Sequence, residues 1–406
     1  MEYKTGLLRN GIRLVHIAVD SKVAHFGVLI NAGTRDELPG QSGIAHLTEH
    51  MLFKGTHKRK AYHILSRLDD VGGEFDAYTT KEDIALYTTF LNSYYNRSIE
   101  LLSDVLFSSV LPEKELLKER DVICDEINSY RDNPAELVFD EFESYLFSNH
   151  ALGNPILGDE ASIRNISVCD IKTFMKRCFN TDQMVLCSAG NIPFNKLMHY
   201  CDKYFGEHPE NLRGFQRAEF SQSQRFEKRK EIGSHQAHCM LGNTAYSYRD
   251  ERRLALILLS NILAGPVMNS RLNLLLREKH GITYNIESSY NPYYETGNFS
   301  IYFGTDNDKV EKCLSLIRKE LISLCNTPLG SMQLSKAKRQ IMGQLAISTE
   351  NHAQMMLSAA KSYLLFDDIE SLPSLFDRIE QIKSSDITEV ANEVCHPDKL
   401  SMLLFN

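Results

Sequence analysis

Apolar and polar positions follow two rhythms along the chain. Ile12 to Val19 and Val23 to Ile30 are β-branched and partly alternating, which predicts two strands. Gly43 to Gly55 holds good helix formers, no proline and a glycine at each end, which predicts a helix. Further helices are predicted over about 60–71, 93–109, 135–147 and 168–179, with strands at 74–80, 83–90 and 183–189. Pro112 opens a long polar helix running to Tyr130, and Asn133-Pro134 breaks it.

Residues 207–227 lose the rhythm and are polar, which marks a linker. The Lys/Arg-Glu cluster at 225–231 reads as solvated surface. The earlier pattern then returns. His235 to Leu241 resembles Lys22 to Val28, and the apolar helix Leu254 to Leu263 sits where Gly43 to Gly55 sat. Gly281 to Ser289 and Asn298 to Phe303 repeat the two strands. Leu334 to Ile347 repeats the polar helix, and Asp377 to Val394 with Lys399 to Phe405 repeats the last helix and strand. The fold class is therefore α+β: two tandem homologous domains, each a mostly antiparallel sheet packed with helices. The boundaries are 1–212 and 229–406, joined by a linker at 213–228.

Composition narrows the class. The 406 residues are 43% hydrophobic and 24% charged, ordinary for a globular chain. A formal charge of −8 argues against nucleic acid as a partner. Nine cysteines without a C-x-x-C pair suggest reduced thiols. No apolar run approaches the ~20 residues of a membrane span, and no leader is visible. These features predict a cytoplasmic protein, bacterial by type, with no membrane partner.

The candidate chemistry lies in His46-Leu-Thr-Glu49-His50. On a helix His46 and His50 leave one face a turn apart, with Glu49 beside them. Two such imidazoles can grip one zinc ion, and the carboxylate can take a proton from the water that the metal activates. The order H-x-x-E-H is the inverted zinc-peptidase motif. A pentamer this short also arises by chance, so a third ligand is needed. Glu119 and Glu126 are i and i+7 on one helix face, and either can bind while the other supports it. The second copy sets Leu256, Leu259 and Ser260 against the motif, and Ala337 and Gln344 against the glutamates. One active and one inert copy are expected.

Five stretches carry a resemblance: Asn31 to Glu37, Gly43 to Gly55, Gly72 to Thr79, Glu119 to Glu126, and Ser270-Arg-Leu with Leu276 to Tyr284. On these the chain resembles the pitrilysin/insulinase family of zinc metallopeptidases. Within it the chain is most similar to the mitochondrial processing-peptidase β-subunit branch and its short bacterial relatives. The resemblance implies half of a peptidase clamshell, with one Zn2+ per chain held by His46, His50 and Glu126. It also implies Glu49 as general base, Glu119 as supporting carboxylate, and Arg277 with Tyr284 as stabilisers of the oxyanion. Phe75, Asp76 and Ala77 would lie on the edge to which a substrate strand adds, although the family often has asparagine at position 76. Glu136 and Asp140 match an acidic pair that receives a substrate arginine.

The implied function is a zinc-dependent endopeptidase acting on peptides or unstructured extensions inside a chamber closed by dimerisation. A homodimer is the simplest assembly, with a heterodimer containing an inactive homologue as the other. The competing reading is a non-catalytic or partner-dependent scaffold subunit.

Overall fold

The computed structural model describes residues 3–221 and 223–406. Two sheets organise the chain. The first contains β1 (Tyr3–Leu7), β2 (Arg13–Ala18), β3 (Val23–Ile30), β4 (Glu74–Thr79), β5 (Ile84–Leu91) and β6 (Met184–Gly190) in the order β1-β2-β6-β3-β5-β4. The second contains β7 (Glu227–Lys230), β8 (Ala237–Ala245), β9 (Asn285–Pro292), β10 (Gly297–Thr305) and β11 (Ser401–Phe405) in the order β7-β11-β8-β10-β9. The sheets match strand for strand from β2 and β7 onward. Each has one parallel pair, β2 with β6 and β7 with β11, and otherwise antiparallel ladders. The internal duplication read from the sequence is thus a duplication of topology. Among the described residues no helix is long and apolar enough to cross a membrane.

The chain divides into two compact units, and each draws on both sequence halves. Unit 1 comprises residues up to Asn128, Asn154–Arg217 and Ile347–Ser371; unit 2 comprises Ser129–Gly153, Ala218–Ala346 and Leu372–Asn406. The expected boundary at 213–228 is therefore crossed by two helices. His352–Phe366 lies on β6, β3 and β2 of unit 1. Pro134–Leu146 lies on β8 and β11 of unit 2.

The reason is that each sheet has two apolar faces. In unit 1, Phe26, Val28, Ile84 and Leu86 enter a core with Ile44, Leu47 and Met51 of the helix Ile44–Leu52. Val15, Ile17, Leu29, Ala85 and Val185 point the other way and are covered by Met355, Met356, Leu357, Ala360 and Leu364. Burial on both faces explains why β3, β5 and β6 read as nearly continuous apolar runs. In unit 2, Val138, Phe142 and Leu146 cover Met240, Leu403 and Phe405 in the same way. Each fully buried side chain of this kind contributes about 1.5–3 kcal/mol.

Three local expectations are revised. The single helix expected from Asp377 to Val394 is two, Leu372–Gln381 and Ser384–Val394. The break comes where the Lys383 N–H donates to the Asp386 carboxylate at 2.8 Å, starting a new helix. The charged cluster at 225–231 is in part β7, an edge strand tolerating charge on its open side. β1 and the helices Phe194–Tyr204, Val310–Asn326 and His352–Phe366 lie in stretches where the sequence pattern predicts no element.

The turn Asn31 to Glu37 is a buried polar staple. Asp36 accepts from the Gly33 N–H at 3.0 Å and from the Arg217 guanidinium at 2.9 and 2.6 Å. Arg35 pairs with Glu82 at 2.5 Å, and both side chains are almost fully buried. Glu37 accepts from the backbone N–H groups of Gly43 and Ala45 at 3.1 Å, which anchors the first turn of the helix Ile44–Leu52. Burial pushes the Glu37 carboxyl up to about 8, against the pull of those N–H groups and of Lys81. Gly43 enters that helix at φ +90°, and a Cβ there would lie 2.7 Å from the Leu157 carbonyl, so only glycine fits.

Candidate metal centre

The helix Ile44–Leu52 buries Ile44, Ala45, Leu47, Thr48, Met51 and Leu52 and leaves His46, Glu49 and His50 on its partly open face. The apolar spacing thus chooses which face the histidines present. The two imidazole centroids are 4.6 Å apart. The helix Glu113–Arg131 brings Glu126 to them: His46 Nε2 lies 4.0 Å from its Oε2, and His50 Nε2 lies 4.0 Å from its Oε1. These gaps are too long for hydrogen bonds. They leave room for one ion among the three residues, with donor atoms somewhat wider apart than the roughly 3.4 Å of a tetrahedral zinc site. Ligand atoms of the three residues all lie within 4.8 Å of one another. Two imidazoles and one carboxylate are the donor set of hydrolytic zinc sites with an open coordination position. The residues therefore fit a zinc ion.

The two glutamates meet different sides of the imidazoles. Glu119 Oε2 lies 3.0 Å from His50 Nδ1, on the ring edge away from Glu126. That contact fixes the tautomer with hydrogen on Nδ1 and the Nε2 lone pair toward Glu126. Glu119 is itself held by Lys54, whose Nζ lies 2.7 Å from Oε1. Burial, reinforced by His50, pushes the His46 pKa down to about 4, so the ring is neutral as a ligand requires.

Glu49 stands on the same helix face as the histidines. Burial pushes its pKa up; the hydrogen bond from Thr79 and the charge of His50 pull it down, and Glu126 pushes it up again. The Thr79 hydroxyl donates to Glu49 Oε2 at 2.5 Å. Thr79 ends β4, which is the edge of the first sheet. The odd-numbered residues Phe75 and Ala77 turn toward the core beside this helix, and the Phe75 and Phe53 rings are 4.8 Å apart. Asp76 projects from the other face and is exposed, opposite Tyr87 in the ladder.

The remaining expected residues lie in unit 2. Arg277 is on the π-helical turn Asn273–Lys279 with its side chain half exposed, 3.9 Å from Glu278. Tyr284 is exposed, and its hydroxyl donates to Asp306 at 2.8 Å. Glu136 and Asp140 are on the helix Pro134–Leu146, the first exposed and the second half-buried. In this unit Leu256 and Leu259 are core residues, and Ser260 shares a hydrogen bond with Ser288 at 2.9 Å. The counterparts of the metal-motif positions thus carry no imidazole or carboxylate. Lys54 and Thr79 were not singled out from the sequence. Lys54 stands four residues after His50, and Thr79 closes the stretch that also supplies Phe75 to Ala77, so proximity to those motifs was the available signal.

Two family descriptions match the chain, meeting between residues 160 and 165, within unit 1. The family described as insulinase, peptidase family M16, matches residues 14–160. The family described as peptidase M16 inactive domain matches residues 165–341. An uncharacterized zinc protease of Bacillus subtilis, YmxG, is 31% identical over 394 residues, covering 96% of this chain and 95% of its own. An uncharacterized zinc protease of Rickettsia bellii is 30% identical over 402 residues, covering 97% and 95%. Two solved structures share the fold. A peptidase M16 inactive domain from Pseudomonas fluorescens superposes with TM-score 0.92 at 19% identity, covering 100% of this chain and 98% of its own. A protease from Helicobacter pylori gives 0.88 at 21% identity, covering 100% and 99%.

Proposed function

Because the chain belongs to the M16 (insulinase) peptidase family, we propose that it is a zinc-dependent endopeptidase cleaving peptides and unstructured polypeptide extensions. The observation that carries this reading is the convergence of His46, His50 and Glu126, with Glu49 on the same helix face. His46 and His50 would hold the ion through Nε2 and Glu126 through its carboxylate. When bound, zinc supplies the Lewis acidity that makes a water nucleophilic near neutral pH.

The protein's own groups do the rest. Glu49 takes a proton from the attacking water and returns it to the leaving amine, the usual two roles of one carboxylate. Glu119 holds the His50 tautomer. The open edge of β4 pairs with the peptide backbone as an added strand, so binding tolerates varied side chains. Arg277 and Tyr284 donate to the developing oxyanion, and we take a second copy of the chain to bring them to the site and close a chamber around it. Glu136 and Asp140 select a basic side chain near the cleaved bond.

The competing reading, a scaffold subunit without activity, suits unit 2, whose motif positions are Leu256, Leu259 and Ser260; unit 1 retains the whole set. The deciding experiment is incubation of the purified chain with a library of unstructured peptides, with cut sites mapped and a chelator control. Chelator-sensitive cleavage is expected, clustered two residues after arginine. Cleavage without arginine preference would remove the role given to Glu136 and Asp140. A metal-loaded dimer without activity would overturn the peptidase reading, and an inactive persistent monomer would point to a heterodimer.

A further inference from the structure

We propose that Thr79 is a positioning residue that fixes the Glu49 carboxylate and makes the base part of the strand on which peptide docks. This rests on the peptidase reading above. A threonine hydroxyl has one proton to donate. Here it goes to Glu49 Oε2 at 2.5 Å. One carboxylate oxygen is thereby committed, and Oε1 is left for a water. A glutamate on a helix has three side-chain torsions and wanders without such a tether. A β-branched residue in a strand has a restricted χ1, so it makes a stiff tether.

The anchor behind Thr79 is rigid. Thr79 pairs with Ile84 where β4 meets β5. In the turn between them Thr80 N–H donates to the Asp83 carbonyl at 2.8 Å, and Thr80 Oγ1 accepts from the N–H groups of Glu82 and Asp83 at 3.2 and 2.9 Å. Lys81, Glu82 and Asp83 are buried. Arg35 clamps Glu82, and Lys361 clamps Asp83. The strand that would register a peptide backbone therefore also sets the angle of the base. Misplacement by about 1 Å in such an arrangement costs about 10²-fold in rate.

The test uses the zinc-loaded full chain and one unstructured peptide that the wild type cuts in a chelator-sensitive way. In Thr79→Val, kcat is expected to fall by about 10²-fold. Zinc affinity, measured by competition with a chromophoric chelator, and peptide affinity of the metal-free protein, measured by anisotropy, should both stay unchanged. Thr79→Ser, which keeps the donor, should recover most of the rate. In a Glu49→Gln background, Thr79→Val should add nothing, because it acts through Glu49. Wild-type kcat in Thr79→Val would overturn the proposal, as would failure of Thr79→Ser to recover rate or full additivity with Glu49→Gln. In each of these cases the peptidase reading would stand. A wild type that cuts no peptide would overturn both.

Discussion

Lys54 Nζ lies 2.7 Å from Glu119 Oε1, while Glu119 Oε2 lies 3.0 Å from His50 Nδ1. The carboxylate that orients His50 is thus held by a lysine only four residues further along the chain. Partners of this kind typically change metal affinity about 10–100-fold when removed. Glu119→Gln is expected to weaken zinc binding by about that factor. Lys54→Met should act in the same direction with a smaller loss, since Glu119 keeps its bond to His50. Chelator competition on each variant gives both values.

Glu49→Gln separates binding from chemistry. The amide keeps the shape and the contact with Thr79, but it cannot take a proton. Cleavage should drop by about 10²–10⁴-fold with zinc content unchanged. Turnover at the wild-type rate would show that Glu49 is not the base.

His16 gives the fold an acid-sensitive component. It is buried on β2, with Lys4 of β1 directly opposite in the ladder. Burial, with a lesser push from Lys4, drives its pKa down to about 4 from 6.5. Between those values the unfolded chain binds a proton that the folded chain refuses, so stability falls as pH drops from 6.5 toward 4. The loss amounts to about 3 kcal/mol by pH 4. In His16→Gln this component should vanish, which urea unfolding at pH 7 and pH 4.5 would reveal as a flatter dependence than in the wild type.

Met356 is fully buried against the first sheet although it lies some 300 residues along the chain from the metal-motif helix. Met356→Ala should destabilise unit 1 by about 2–5 kcal/mol. Added zinc should raise the unfolding midpoint of unit 1 in both proteins, because the ion binds only the folded form. A loss confined to unit 2 would contradict the packing described above.

Much of this architecture was legible. Alternation and turn residues marked β2 to β6, and the repeat after position 235 predicted β8 to β11 of the second sheet. The spacing of His46 and His50 predicted a shared face, because helical geometry alone sets it. Other features depend on tertiary placement. β1 reads Tyr-Lys-Thr-Gly-Leu, with little apolar signal, and is a strand because β2 pairs with it. His352–Phe366 has an apolar face, but periodicity does not say which sheet that face covers. Glu119 and Glu126 have equal claims by spacing, and only the folded chain shows that each meets a different side of the His50 imidazole. Thr79 is one of many strand threonines until its hydroxyl is seen to end on Glu49.

The covering of the first sheet by His352–Phe366 also sets an order of events in synthesis. Residues 3–217 supply all six strands of that sheet and every candidate zinc donor, yet one apolar face stays bare until residue 366 has left the ribosome. Chains growing at about 5–20 residues per second therefore carry an exposed sheet face for several seconds or more. During that interval Val15, Ile17, Leu29, Ala85 and Val185 lack the side chains that bury them in the folded protein.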